Sequence, residues 1–504
     1  MRPMLAIEPM GARARGDRYS PFAARVGRLL LVPLLVALLA GCGGDEGGPA
    51  IRDDERELGA QQHPQLLAAF GGAYEAPEAA YARRLGEKVA AAAGLEGQCT
   101  FTLVNTDVVN AFAVPGCYIY VTRGLMAIVN SEAELSAVLA HEVGHIVGAH
   151  SRRQQRSSLL RSLGVLAVGL VTGSERLTRL AAGAAELFTL RYSRGQEYEA
   201  DQLGIRYLAA SGYDPHAAAD MLEALGRNEQ FVARTRGRDE ASSIPEWART
   251  HPLTGNRVER AGELAAATGV ARGGLPEHEA PFLAEVDGLL YGDDPAQGFV
   301  IGRRFAHPVM RIGFEAPPGF TLTNSPRAIL IEGPEGMRGE FAAGRLPDGG
   351  LEAYASAVFE QLLGDVGAEI GKGETRQVNG LPALIVPAVV RTDQGAAEIT
   401  LAAYQGPGGA AYHFVLAGNA EGQSRAAIAE LIGSFRLLRP DEAAGLRPRV
   451  VRTIAVPPGA TADSLAARMA SENRLDHFLM LNGRAAGDVL RPGGRVKIVE
   501  WAGR

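Results

Sequence analysis

The chain has 504 residues, of which 46% are hydrophobic and 21% charged, so it can form several globular domains and its composition excludes wholesale disorder. Its net charge is −6, and a mildly acidic protein lacks the basic face that nucleic-acid binding requires. We therefore expect a multidomain globular protein with no nucleic-acid partner, and the patterns of helices and strands described below predict an α+β fold class.

The N-terminus predicts export. A basic region ends at Arg28, and the apolar run Leu29 to Ala40 that follows is shorter than the ~20 residues that a membrane-spanning helix needs. The string Leu39-Ala40-Gly41-Cys42 is typical of a bacterial lipobox, in which the cysteine is lipidated. We predict a lipoprotein signal peptide at 1–41, lipidation of Cys42 and a flexible tether at 42–54. The alternative is an ordinary signal peptide with a chance cysteine.

Residues 55–270 have a mostly helical pattern, interrupted by a short β segment. Cys99 and Cys117 each stand at the start of a strand-like run, at 100–105 and 118–122. If these strands are parallel neighbours, the cysteines lie at the same end and come within disulfide range. An oxidising compartment permits the disulfide. Two unpaired thiols are the alternative.

The string His141-Glu142-Val143-Gly144-His145 predicts a metal site. It lies in a helical pattern that begins after Ser131, and positions i and i+4 of a helix project together. Both imidazoles can therefore reach one ion, while Glu142, about 100° round the helix, can act as a base on a bound water. This pattern also occurs by chance, so it needs a third ligand.

The run Leu159 to Thr172 is apolar almost all round and is followed by an amphipathic run, Leu177 to Leu190. We favour a buried hairpin here. The alternative is a mobile apolar lid or a membrane-facing surface over the site, because the run is too short to span a bilayer.

A third ligand is found in the helical pattern Ser193 to Ala210. Glu197 and Asp201 are four residues apart and share a face, so Glu197 can complete the ligand set and Asp201 can hydrogen-bond a ligand imidazole. Two histidines, one carboxylate and an open position are typical of catalytic zinc. We predict one Zn²⁺ per chain. A solvated helical acid is the alternative for Glu197.

Three further segments follow this predicted peptidase domain. Residues 271–295 have the composition of a linker. Residues 296–440 alternate strands and helices and predict a small α+β sandwich without a readable site. Residues 450–500 predict a compact module.

The motifs HEVGH and EYEAD resemble the peptidase family that contains HtpX, BepA and the CAAX prenyl protease. The resemblance covers about 65–270 and implies a mostly helical zincin (gluzincin-like) domain with endopeptidase activity. The hairpin at 109–124 is similar to the edge strand of that family, which implies substrate pairing along Asn110, Ala111, Phe112, Ala113 and Val114.

The same resemblance extends to the segment THPLTGNR. It nominates His251 or Arg257 as the donor that stabilises the oxyanion during catalysis. A surface role is the alternative for His251. His150 lies five residues after His145, off the ligand face, and we interpret it as structural.

Residues 453–499 resemble a LysM module in βααβ order, through Pro458-Gly459, Leu465-Ala466, Leu481-Asn482 and Arg491-Pro492-Gly493. That family binds N-acetylglucosamine glycans, so peptidoglycan contact is implied. A degenerate interaction module is the alternative.

These patterns together predict a zinc endopeptidase for misfolded or stalled envelope proteins. It would be lipid-anchored at the periplasmic face of the outer membrane of a Gram-negative bacterium. The alternative is an envelope chaperone or peptidoglycan-binding scaffold with a latent metal site. The presence of Glu142 favours the enzyme, since a scaffold does not need the base. A serine or cysteine hydrolase is disfavoured, because the sequence contains no Gly-x-Ser-x-Gly elbow.

Overall fold

A computed structural model describes residues 51–153, 192–236, 247, 251, 256–364, 367–392, 395–418 and 423–503. The predicted lipobox with Cys42 and the apolar run Leu159 to Thr172 lie outside these residues. Among the described helices, none combines the length and the apolar character needed to traverse a bilayer.

The first part of the structure is mainly helical. Its helices are α1 (Asp53–Ala69), α2 (Pro77–Ala92), α3 (Arg123–Ile128), α4 (Glu132–Val147), α5 (Arg194–Ala210), α6 (Ala217–Arg236), α7 (Arg257–Ala267) and α8 (Glu279–Glu285). Ser131 caps α4 by accepting a hydrogen bond from the Glu134 backbone N–H, and Ser193 with Gln196 forms a capping box on α5. Both helices therefore begin where the sequence predicts.

A three-stranded sheet packs beside these helices. Its strands are β1 (Thr100–Val104), β2 (Ala111–Val114) and β3 (Tyr118–Thr122), in the order β1-β3-β2. Strand β2 is antiparallel to β3 and forms an edge of the sheet, while β1 is parallel to β3 with Thr100 opposite Tyr118. The segment predicted to pair with substrate is therefore an edge strand.

Cys99 and Cys117 precede the two parallel strands and are joined by a disulfide, with their Cα atoms 4.7 Å apart. Cys117 has a φ of 60°, in the left-handed region that favours glycine. The bond therefore fixes the start of β3 to the start of β1 and braces the hairpin that carries the edge strand.

We expect the disulfide to stabilise the fold by about 3 kcal/mol, because it closes a loop with a sequence separation of 18 in the unfolded chain. The test is the free energy of unfolding in denaturant for the oxidised protein and for Cys99→Ala/Cys117→Gly, in which glycine suits the positive φ. Equal free energies in the two proteins would contradict the prediction.

Residues 299–437 form the sandwich. Its strands are β5 (Phe299–Ile301), β6 (Arg304–His307), β7 (Ile312–Glu315), β8 (Thr321–Asn324), β9 (Ile329–Glu332), β10 (Arg338–Arg345), β11 (Ala368–Ile370), β12 (Glu374–Val378), β13 (Leu381–Thr392), β14 (Gly395–Gln405), β15 (Ala410–Ala417) and β16 (Arg436–Leu437), and its helices are α9 (Gly350–Leu363) and α10 (Gln423–Ser434). An eight-stranded sheet packs one face on the four-stranded sheet β16-β7-β6-β5 and α10, and the other on α9.

The segment predicted to be a linker, 271–295, is structured instead. Helix α8 and strand β4 (Leu290–Tyr291) lie within it, and Phe282, Leu283 and Val286 are buried in the same hydrophobic core as α4. The sequence predicts a linker here because Gly, Pro and charged residues dominate its composition, although a few apolar residues are buried.

The C-terminal residues also join this core. After α11 (Pro440–Gly445) they form β17 (Arg449–Ala455), α12 (Ala462–Ala466), α13 (Arg474–Leu481) and β18 (Arg495–Trp501), which is the predicted βααβ order. Strand β4 pairs with β17, and the buried Lys497 ammonium donates to the carbonyls of Ala127 and Val129 at 2.7 and 2.6 Å. The module is therefore docked beside α3, which leads into α4.

His477 provides a test of this docking. It is buried against Phe231 of α6 and shares a hydrogen bond with the Tyr291 hydroxyl, with Nε2 and the oxygen 2.6 Å apart. Burial lowers the pKa of His477 to about 3, and the charge of Arg449 adds to this. The unfolded chain binds the proton of this histidine more tightly than the folded chain does. The contribution of His477 to the free energy of unfolding is therefore fully present above about pH 6.5 and falls as the pH drops towards 3.

We expect the wild type to lose up to about 1.4 kcal/mol of stability per pH unit in this window relative to His477→Gln, which keeps a hydrogen-bond acceptor but does not titrate. Denaturant unfolding at several pH values between 4 and 7 measures the difference. Parallel stability curves would show that His477 has the same pKa in the folded and unfolded chain, and would contradict the docking described here.

Candidate metal centre

The centre is built where α4 crosses α5. A Cβ atom on Gly144 would lie 2.8 Å from the carbonyl oxygen of Ala200, and one on Gly204 would lie 3.0 Å from the backbone nitrogen of His141. The two helices therefore touch backbone to backbone, which only small residues allow. This close crossing brings the ligand side chains of both helices together.

His141, His145 and Glu197 form the core of the site, and all three are buried. The Nε2 atoms of the two histidines are 3.0 Å apart, and each lies 3.6 Å from a Glu197 carboxylate oxygen. The structure thus brings together the three residues that the sequence analysis predicted as ligands.

His251 joins the same group. Its Nδ1 lies 3.1 Å from Glu197 Oε1 and 3.4 Å from His141 Nε2, and its ring stacks on Trp247 with centroids 4.3 Å apart. The four side chains offer donor atoms that all lie within 4.8 Å of one another. The THPLTGNR segment nominates His251 or Arg257 as the oxyanion donor, whereas the structure places His251 as a fourth potential ligand.

The residues fit a zinc ion. Two ligand atoms on a tetrahedral zinc with Zn–N bonds of about 2.05 Å are about 3.3 Å apart. The donor separations among His141, His145 and Glu197, from 3.0 to 3.6 Å, lie on both sides of that value. Imidazole and carboxylate are also the donors that zinc prefers among the available side chains.

Glu142 is beside this group but outside it. Its side chain is 0% exposed, neither carboxylate oxygen accepts a hydrogen bond from the described residues, and Oε1 lies 3.6 Å from His251 Nε2. Burial raises the pKa of Glu142, although the neighbouring histidines oppose the shift. A buried carboxylate with a raised pKa suits a group that takes and returns a proton.

Asp201 and Arg257 lie behind the ligands. Asp201 Oδ1 is 3.0 Å from His141 Nδ1, and the Arg257 guanidinium donates to both Asp201 oxygens, at 2.9 and 2.8 Å, and lies 2.9 Å from Glu197 Oε2. Burial acts to raise the pKa of Asp201, but Arg257 and His141 outweigh it and lower the pKa. Since Arg257 binds these two carboxylates, the structure favours a positioning role over the predicted oxyanion role.

The two ligand histidines differ in proton affinity. Burial lowers the pKa of His145 well below its usual value, and His141 adds to this. Burial also acts on His141, but Asp201 and Glu197 outweigh it and raise the pKa of His141 to about 9. A metal ion must therefore displace a proton from His141, and metal affinity will fall in acid.

Two neighbours of His145 were not assigned to the site from the sequence. His150, interpreted there as structural, places Nδ1 2.7 Å from His145 Nδ1, and the Tyr192 ring stacks on His145 with centroids 4.0 Å apart. Helical spacing could not reveal His150, because α4 ends at Val147 and Ala149 has a φ of 50°. A positive φ turns the chain back on itself.

Comparison with known proteins supports this description. Residues 76–265 match the sequence model of peptidase family M48. The beta-barrel assembly-enhancing protease of Yersinia pestis is 32% identical over 235 residues, 44% of this chain and 46% of that protein. The protein of the same name from Escherichia coli (strain K12) is 33% identical over 168 residues, 31% of this chain and 32% of that protein.

The mitochondrial metalloendopeptidase OMA1 of Arabidopsis thaliana is 36% identical over 140 residues, 27% of this chain and 28% of that protein. This chain therefore spans less than half the length of each of these three relatives. The group of candidate metal ligands lies wholly inside residues 76–265, the part of the chain that is similar to peptidase family M48.

Proposed function

We propose that the protein is a zinc-dependent endopeptidase of the bacterial cell envelope. The observation that carries the proposal is the fully buried Glu142 carboxylate beside the His141, His145 and Glu197 group. The match to peptidase family M48 and the names of the relatives support a metallopeptidase. A binding scaffold would not need to keep at this position a buried carboxylate that accepts no hydrogen bond from the described residues, since burying it costs stability.

The residues divide the chemistry among them. A zinc ion held by His141, His145 and Glu197 would lower the pKa of a bound water to about 7 and polarise the substrate carbonyl. Glu142 accepts the proton of the attacking water and delivers it to the leaving amine. Asp201 and Arg257 keep the ligands oriented, and Arg257 balances the two carboxylates.

His251 must move for this chemistry to occur. Catalytic zinc keeps one position for water, and His251 Nδ1, 3.1 Å from Glu197 Oε1, would fill that position if it bound the ion together with the other three residues. We therefore propose that His251 withdraws when substrate binds.

We expect His251→Ala to retain zinc through the other three ligands and to cleave an unfolded polypeptide several times faster than the wild type, because the fourth position is then open. Zinc content and the cleavage rate measure the two effects. A large fall in rate with zinc retained would instead favour the oxyanion role that the sequence suggested.

We propose that the substrates are unfolded or misassembled envelope proteins. An edge strand can pair with an extended backbone whatever its sequence, and β2, although its residues are buried in this structure, is the edge strand of the sheet near α4. The name of the Yersinia pestis relative refers to β-barrel assembly, which is consistent with such substrates. Anchoring through Cys42 and glycan binding by residues 450–500 remain predictions.

The test is digestion of one disulfide-containing protein in its native form and in its reduced, unfolded form, with product termini mapped by mass spectrometry. We expect internal cleavage at many sites of the unfolded form and little cleavage of the native form. Release of single terminal residues only, or no cleavage of either form, would overturn the proposal.

A further inference from the structure

His150 approaches the metal centre from outside the ligand group. Helix α4 ends at Val147, and the turn at Gly148 and Ala149 folds the chain back, so that the fully buried His150 ring meets His145. The two Nδ1 atoms are 2.7 Å apart. The Nδ1 atom of each candidate ligand histidine therefore has a partner. The partner is His150 for His145 and Asp201 for His141.

The proton positions follow from what metal binding would require of His145. His145 directs Nε2 towards His141 and Glu197, so this nitrogen carries the lone pair that a metal needs and Nδ1 carries the proton. His150 must then accept at Nδ1 and carry its own proton on Nε2. That nitrogen lies 3.4 Å from Glu199 Oε2, and this oxygen accepts a hydrogen bond from the Arg153 guanidinium at 2.7 Å.

The position of His150 is tightly held. A Cβ atom on Gly148 would lie 2.5 Å from His150 Nε2, so the glycine makes room for the ring. The Gln196 side chain, in the first turn of α5, donates to the His150 carbonyl at 3.1 Å. The segment after one ligand helix is thus tied to the start of the other.

We propose that His150 is a positioning residue for the metal: it accepts the Nδ1 proton of His145 and, backed by Glu199, fixes the ring so that Nε2 faces the ion. The inference rests on the metal site of the proposed function but not on peptidase activity. Outer partners of this kind usually change metal affinity 10–100-fold when they are removed, by about the same factor whether or not the enzyme turns over.

The test is the zinc dissociation constant, measured by chelator competition on the full chain. His150→Leu removes the acceptor, whereas His150→Asn keeps an acceptor oxygen at the place of Nδ1. We expect the dissociation constant to rise about 10–100-fold in His150→Leu and to stay within a few-fold of the wild type in His150→Asn. The visible spectrum of the cobalt-substituted protein should change in the first variant and be restored in the second.

Two more variants keep the test decisive. Gly148→Ala should displace the ring without removing it and weaken zinc binding, even if His150→Leu does not fold. His413→Leu removes a buried histidine of the sandwich, hydrogen-bonded to the Tyr354 hydroxyl, and should lower the melting temperature without changing zinc affinity. Wild-type affinity in His150→Leu, or equal losses in His150→Leu and His150→Asn, would overturn the inference. A wild type that binds zinc but cleaves nothing would overturn only the proposed function.

Discussion

Replacing Glu142 with glutamine should abolish peptide cleavage while one zinc per chain is retained. The amide has nearly the shape of the carboxylate and Glu142 is not among the ligands, so the ligand group should remain intact. The glutamine amide cannot take a proton from water, and loss of a general base typically lowers the rate about 10²–10⁴-fold. Zinc content by elemental analysis and the initial rate of casein digestion measure the two effects.

Glu134→Gln is the matched control. Glu134 is also buried on α4 and accepts a hydrogen bond from the Asn130 backbone N–H, which an amide oxygen can still accept. This variant should bind zinc and cleave as the wild type does. A fully active Glu142→Gln protein would show that another residue is the base.

Replacing Arg257 with leucine should lower the free energy of unfolding of the metal-free protein by about 3–5 kcal/mol, because two buried carboxylates lose their cation. Arg257 is 1% exposed and binds both Glu197 and Asp201. Denaturant unfolding in the presence of a chelator measures the loss at neutral pH.

The pH dependence of this loss identifies its cause. The folded-state pKa values of Glu197 and Asp201 are lowered, so their contribution is present at neutral pH and lost as the pH falls through those values. The difference between wild type and Arg257→Leu should therefore shrink in acid. Arg257→Lys keeps the charge without the paired hydrogen bonds. Its free energy of unfolding should lie between those of the wild type and Arg257→Leu. A constant difference at all pH values would point to packing instead.

The residues predicted most successfully from the sequence are those that a regular helix brings together. His141 with His145, and Glu197 with Asp201, are four residues apart, so helical geometry alone places each pair on one face. The disulfide could also be predicted from the sequence, because each cysteine stands at the start of a strand-like run and β1 is parallel to β3.

Contacts that depend on turns or on distant segments could not be predicted. His150 reaches His145 through a positive φ at Ala149 that helical spacing does not encode. Lys497 alternates with apolar residues in β18 as a solvent-facing lysine would, yet it binds carbonyls about 370 residues away in sequence. The positioning role of Arg257 depends on its contacts with Glu197 and Asp201, which are more than 50 residues away in the sequence.

The most direct test of the account is removal and return of the metal. Purified protein should contain one zinc per chain, lose both zinc and cleavage of unfolded protein after chelation, and regain activity in proportion to added zinc until one equivalent is bound. Undiminished cleavage by the metal-free protein, or no cleavage at full zinc occupancy, would contradict the account.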